Sequence, residues 1–168
     1  MKGIRIIALL IMISLCLSAC GNKVTTYHNT VTYYYRTVDV QYGEMDGVVV
    51  AESRETDIAP DDYEQLVSAY LNGPRESNHI SPYPAGIYLV RLIMGADRVY
   101  ITLSSHMGML SGSDLMIACA CLTKTVLGIT GVHSMEISSE KTLLNDQSYL
   151  VFTESDFAYM DMYAQSIS

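Results

Sequence analysis

Tryptophan is absent, phenylalanine occurs twice and proline four times in 168 residues, and positive charge is scarce. Ten Lys and Arg stand against 18 Asp and Glu, a formal charge of −8. That shortage of cations argues against a nucleic-acid partner, whose phosphates require a basic face. Charged residues of both signs make up only 17% and apolar residues 49%, which excludes an intrinsically disordered chain. Reactive patterns are missing too. There is no P-loop, no GxGxxG, no HExxH, no GxSxG elbow and no CxxC pair, so phosphate cradling, dinucleotide binding, zinc hydrolysis and an α/β-hydrolase nucleophile have no sequence support. No internal repeat is seen. The length fits one domain with a short appendage, long enough to bury a core without metal or disulfide staples.

What is present begins at the N-terminus. Lys2 and Arg5 precede an apolar run from Ile6 to Leu15, followed by Leu17-Ser18-Ala19-Cys20. A charged start, a short apolar stretch and small residues before a cut form a secretory signal. The run is shorter than the ~20 residues that span a bilayer. Leu17 to Cys20 resembles the lipobox of bacterial lipoproteins. That resemblance implies cleavage after Ala19 and, on Cys20, a diacylglyceryl thioether whose acyl chains are of the palmitate kind. Each buried methylene contributes about 0.8 kcal/mol, so several chains hold a protein on a membrane where one does not. Cleavage removes two cations, leaving 8 basic against 18 acidic residues, a charge of −10. Such a domain is repelled by an anionic bilayer, so the lipid must do the anchoring. The expected location is the extracytoplasmic face of the cell membrane. The expected division is a signal over 1–19, a lipidated cysteine and tether over 20–30, a domain over 31–153 and an acidic tail over 154–168, the tail either a docked helix or frayed.

Patterning of the mature chain predicts α+β. Val31 to Gln41 is rich in β-branched and aromatic residues, and Gly43 to Gly47 turns it into a second strand, Val48 to Glu52. Tyr63, Leu66, Val67, Tyr70 and Leu71 form one stripe of a helix predicted over Pro60 to Asn72, with Pro60 at its first position and Gly73-Pro74 as its stop. Arg75 to Gly86 reads as a loop. Ile87 to Met94 and Arg98 to Leu103 form a second hairpin. Leu115, Ala118, Cys119, Leu122 and Val126 give the buried stripe of a helix over Ser113 to Leu127, with Cys121 on another face, Ser111 or Ser113 as its cap, Ser111 with Asp114 loosely resembling a capping box, and Gly128 as the stop. Val132 to Ser138 and Tyr149 to Thr153 are further strands. The order β-β-α-β-β-α-β suggests a mostly antiparallel sheet with two helices packed on one face.

Four segments of the chain resemble the GerMN domain of bacterial sporulation and germination lipoproteins. They are Leu66 to Pro74, a helix ending in Gly-Pro; Pro84-Ala85-Gly86 before a strand; Val99 to Ser104, an alternating strand; and Leu122-Thr123 through Gly131-Val132, a second helix leading to a Gly-Val strand. Beyond Ser138 the likeness ends, because Ile137 to Lys141 lacks the family's glycine turn. The resemblance implies a non-catalytic domain, similar to ring-building domains of the apparatus between a developing spore and its mother cell, that binds a protein of the envelope or peptidoglycan. It implies no cofactor, no metal and no catalytic residue.

The residues themselves add little chemistry. Cys119 and Cys121 at i and i+2 of a helix point about 200° apart and cannot pair there, so they read as small buried or half-buried hydrophobes. Ser104-Ser105-His106 is too local for a triad, and Asp61, Asp62 and Glu64 suit a helix N-terminus. Thirteen tyrosines leave one candidate contact surface: Tyr33 and Tyr35 on the first hairpin, with Arg75, Asn78, His79 and Tyr83 as its polar rim.

Overall fold

The structure, a computed structural model, describes residues 27–38 and 47–161. The signal segment, Cys20, residues 39–46 of the first hairpin and residues 162–168 lie outside the described residues. The tyrosine-rich run forms β1 (Asn29–Thr37), antiparallel to β2 (Val49–Thr56), with Tyr33 opposite Glu52 and Val31 opposite Arg54. Directly opposed residues share a face, so Tyr33, Tyr35, Glu52 and Arg54 all point to the same side. Helix α1 (Tyr63–Leu71) covers that side, and Leu66, Val67, Tyr70 and Leu71 are buried. It starts later than Pro60. Asp62 is the N-cap, accepting from Gln65 N at 3.1 Å, and its own N–H closes a turn on Ala59 at 3.0 Å.

The segment predicted as a loop contains β3 (His79–Ile80), which pairs with β1 at Arg36 and Thr37. Two residues are too few to show alternation. Next come β4 (Leu89–Met94), β5 (Arg98–Leu103), a 3-10 turn (Ser105–Met109), α2 (Gly112–Thr130), β6 (Ser134–Ser139), β7 (Tyr149–Phe152) and a second 3-10 helix (Glu154–Met160). The fold is α+β, but the expected one sheet is two among the described residues: an antiparallel sheet in the order β2-β1-β3 and a mixed sheet in the order β4-β5-β6-β7. The pair β5–β6 is parallel, because α2 carries the chain back to the starting end of β5. The helices therefore do not share one face of one sheet. Helix α2 contacts β1 of the first sheet and β6 of the second.

This position explains the composition of α2. Every residue from Ile117 to Leu127 is buried, Thr123, Lys124 and Thr125 included. Cys121 is as buried as Cys119, contrary to the amphipathic expectation, because a helix enclosed on all sides has no solvent face. It is long and apolar enough to cross a membrane, yet it serves as a core helix. The stop is Gly131, left-handed at φ 71, whose N–H bonds Leu127 O at 2.8 Å. Gly128 lies inside the helix instead. Ser111 caps without a side-chain bond, and Asp114 lies 3.7 Å from Arg36, so no capping box forms. A Cβ at Gly128 would meet nothing within 4 Å. Gly128→Ala is therefore expected to stabilise the protein by up to about 1 kcal/mol, read as a higher denaturant midpoint with unchanged m.

The chain end closes the core. Phe157 and Met160 are fully buried, and a reciprocal capping box between Thr153 and Asp156 starts their helix. Asp161 reaches the buried Lys124 ammonium at 3.0 Å and bridges to Val49 of β2.

Candidate functional site

A polar knot sits under the loop that follows α1. The Glu52 carboxylate accepts from the Arg54 Nε, from Arg75 N at 3.1 Å, from Glu76 N at 3.2 Å and from His79 Nδ1 at 2.8 Å. Arg54 continues to Tyr35 Oη at 2.9 Å and Gly73 O at 2.8 Å, with its guanidinium 4.9 Å from the Tyr33 ring centre and 5.2 Å from that of Tyr35. Burial alone would raise the Glu52 carboxyl. The bonds from His79, Arg75 N, Arg54 and Glu76 N outweigh it and hold the group down at about 2. The Tyr33 hydroxyl donates to Leu66 O, that of Tyr35 to Tyr70 O, and that of Tyr83 to Ala118 O, while Tyr70 and Tyr83 share a bond at 2.9 Å. Burial pushes the Tyr35, Tyr70 and Tyr83 phenols well above their ordinary value, so they stay neutral donors.

The expected tyrosine surface is thereby relocated. Tyr33 is 2% exposed, Tyr35 0% and Tyr83 8%, so none of these rings is available to a partner. Their period-2 face is the core face, because α1 covers it. The His79 side chain is buried on Glu52. Arg75 and Asn78 are exposed, and their backbones fasten the loop: Arg75 N holds Glu52, and Asn78 O accepts from Val38 N at 3.1 Å, just past the end of β1. The six residues expected to form one surface and its rim are thus a core cluster and the loop it anchors. Cys20 lies outside the described residues. The residues that sequence reasoning missed are Glu52 and Arg54. Their signal was an acid and a base at i and i+2, on the same face as two core tyrosines.

Other chemistry is limited in the same way. Ser104 Oγ lies 3.3 Å from His106 Nδ1 and also accepts from Tyr88 N at 3.3 Å. Among the described residues no carboxylate bonds His106, and Ser104 is 1% exposed, so the pair lacks both an orienting acid and access for a substrate. Among the described residues no three metal-ligating side chains gather. Burial raises the Cys119 thiol to about 12 and the Cys121 thiol further. Native protein is expected to label at neither residue with iodoacetamide, and to label at both once unfolded, by mass spectrometry of the Cys119–Cys121 peptide.

The exposed apolar side chains lie elsewhere. Ile93 and Tyr100, paired across β4 and β5, are 47% and 40% exposed, and Tyr149 and Val151 of β7 are 51% and 40% exposed. They stand on the face of the mixed sheet opposite the buried Val99, Ile101, Met135 and Ile137.

No family model and no curated protein matches the chain. Solved structures do. The chain is similar to the tandem GerMN domains of the sporulation protein GerM from Bacillus subtilis, with TM-score 0.56 and 17% identity over 77% of this chain. It is similar also to the first GerMN domain of that protein, with TM-score 0.52 and 13% identity over 70% of this chain and 91% of the other. The fold is that of a GerMN domain. The chain spans only 45% of the tandem structure, as expected of one GerMN-like unit against two. At these identities the likeness concerns the fold alone.

Proposed function

We propose that the chain is a lipid-anchored, non-catalytic binding domain of the bacterial cell envelope, held to the extracytoplasmic face of the membrane by acyl chains on Cys20, with a protein as its partner. The observation that carries this reading is a GerMN fold placed directly behind a lipobox-type N-terminus. An assembly role in sporulation or germination extends the reading by analogy with the sporulation protein whose domains share the fold. A charge of −10 on the processed chain favours lipid over electrostatic attachment. A second reading, peptidoglycan binding, draws on the exposed Tyr88, Tyr100 and Tyr149 rings, since tyrosine can stack on a sugar and hydrogen-bond at its rim.

Labelled palmitate should enter the wild-type chain and not Cys20→Ala. The binding reading is tested by a photo-crosslinking amino acid at Tyr100 in intact cells, beside sedimentation of the protein with purified sacculi. A discrete protein adduct with a clean supernatant supports the protein partner. Co-sedimentation competed by soluble muropeptide moves the assignment to the wall, and a hydrolysed muropeptide product would overturn the non-catalytic reading.

A further inference from the structure

The edge of β1 that faces away from β2 is occupied along half its length and free along the rest. Thr37 N bonds Val48 O, so odd residues turn their N–H and C=O toward β2. Even residues turn outward. Arg36 meets β3, Val38 N bonds Asn78 O, and Tyr34 N takes the Thr125 hydroxyl of α2 at 2.9 Å. Among the described residues nothing takes the outward backbone groups of Thr30 and Thr32. The chain's own strand cannot continue to them, because Ser81-Pro82 follows Ile80 and proline brings no N–H to a ladder.

That free edge is recessed. A cavity of about 610 Å³ runs along Asn29 to Thr32, walled by Pro60 and Leu66 on one side and by Gly128 and Ile129 on the other. A second hollow of about 440 Å³ shares Tyr34 and Gly128 with it and extends past Gly131. Both volumes fall in the range of small-ligand and peptide sites. The other edges carry the usual guards against strand pairing. Strand β4 has a bulge between Leu89 and Arg91, β2 is bridged by Asp161, and β7 is four residues long. On the β1 edge, Gly128 leaves open space where any larger residue would fill the hollow.

We infer that this groove receives an extended peptide segment of a partner protein, added as a strand beside β1 and bonded to the backbone of Thr30 and Thr32. The occupant is identified by the unpaired groups themselves. Outward N–H and C=O on alternate residues, at strand spacing, are matched by the main chain of another strand. Pro60 and Ile129 supply the apolar walls for its alternate side chains. This inference rests on the reading of the domain as a protein-binding module, and it names where and how the partner docks.

The test is selection from a random heptapeptide display library on the full-length chain in mild detergent, repeated with Thr32→Pro and Gly128→Leu. Proline at Thr32 removes a donor that the fold does not use, and leucine at Gly128 grows into open space. Enriched peptides should bind the wild-type chain and weaken at least tenfold on either variant, while the melting temperature stays within a few degrees. Hydrogen exchange in residues 29–33 should slow at least tenfold when such a peptide is added. If Thr32→Pro does not fold, Gly128→Leu alone decides the comparison. No enriched peptide, or peptides that bind the variants as well as the wild-type chain, would overturn the inference, as would muropeptide alone slowing exchange in the segment. A protein adduct from Tyr100 beside a silent peptide selection would sink the groove and leave the binding reading intact.

Discussion

Glu52→Gln is expected to lower stability at pH 7 by about 3 kcal/mol, the cost of breaking a buried charge pair. The substitution keeps the shape but leaves the buried Arg54 guanidinium without its counter-charge, and turns an amide NH2 toward donors that all need an acceptor. The same magnitude follows from the titration, since a carboxyl held at about 2 instead of 4.5 corresponds to about 3 kcal/mol. The sign is that of a depressed carboxyl. Its stabilisation is fully present above pH 4.5 and is lost as pH falls toward 2. Urea melts of both proteins should therefore differ most above pH 5, and the gap should close between pH 4.5 and 2. A gap that stays constant down to pH 2 would mean that Glu52 is not the anchor of the 75–79 loop.

Phe157→Ala is expected to cost about 4 kcal/mol. The ring is fully buried, its centre 4.8 Å from that of Phe152, and it sits with Met160 in a segment that contacts α2. Loss of the ring leaves a cavity that the short 3-10 helix cannot collapse without giving up the Lys124–Asp161 contact. Chemical denaturation should show a lower midpoint with a similar slope. A change below 1 kcal/mol would place the 154–161 segment outside the cooperative core, as a frayed acidic tail would be.

These two residues mark opposite kinds of illegibility. The side chain of Phe157 stands among Glu154, Ser155, Asp156 and Asp161, so its neighbourhood reads as solvated. Only the hollow beside α2 gives the phenylalanine a reason to be there. Glu52 reads as the end of a strand exposed to water. It is buried because the chain after α1 folds back and aims two backbone N–H groups and a histidine at it. In both cases the element that covers the side chain lies more than twenty residues away in sequence. The tyrosines teach the converse. Alternation puts Tyr33 and Tyr35 on one face of β1, but cannot say which face a helix covers.

Local chemistry determined much of this protein. The apolar stripe from Tyr63 to Leu71 set α1, β-branched and aromatic runs set β1, and the β5 strand from Arg98 to Leu103 has the bounds its alternation predicts. Periodicity reports a residue's own backbone preference and its nearest neighbours on one face, and these elements need nothing more. Tertiary structure alone decided that there are two sheets, that β5 and β6 run parallel, and that the middle of α2, Ile117 to Leu127, is enclosed on every side. It also decided that the outward edge of Thr30 and Thr32 stays open between two helices. Strand partnership and burial are set by which distant surfaces meet, and a one-dimensional pattern carries only the fact that an apolar face exists, not what comes to cover it.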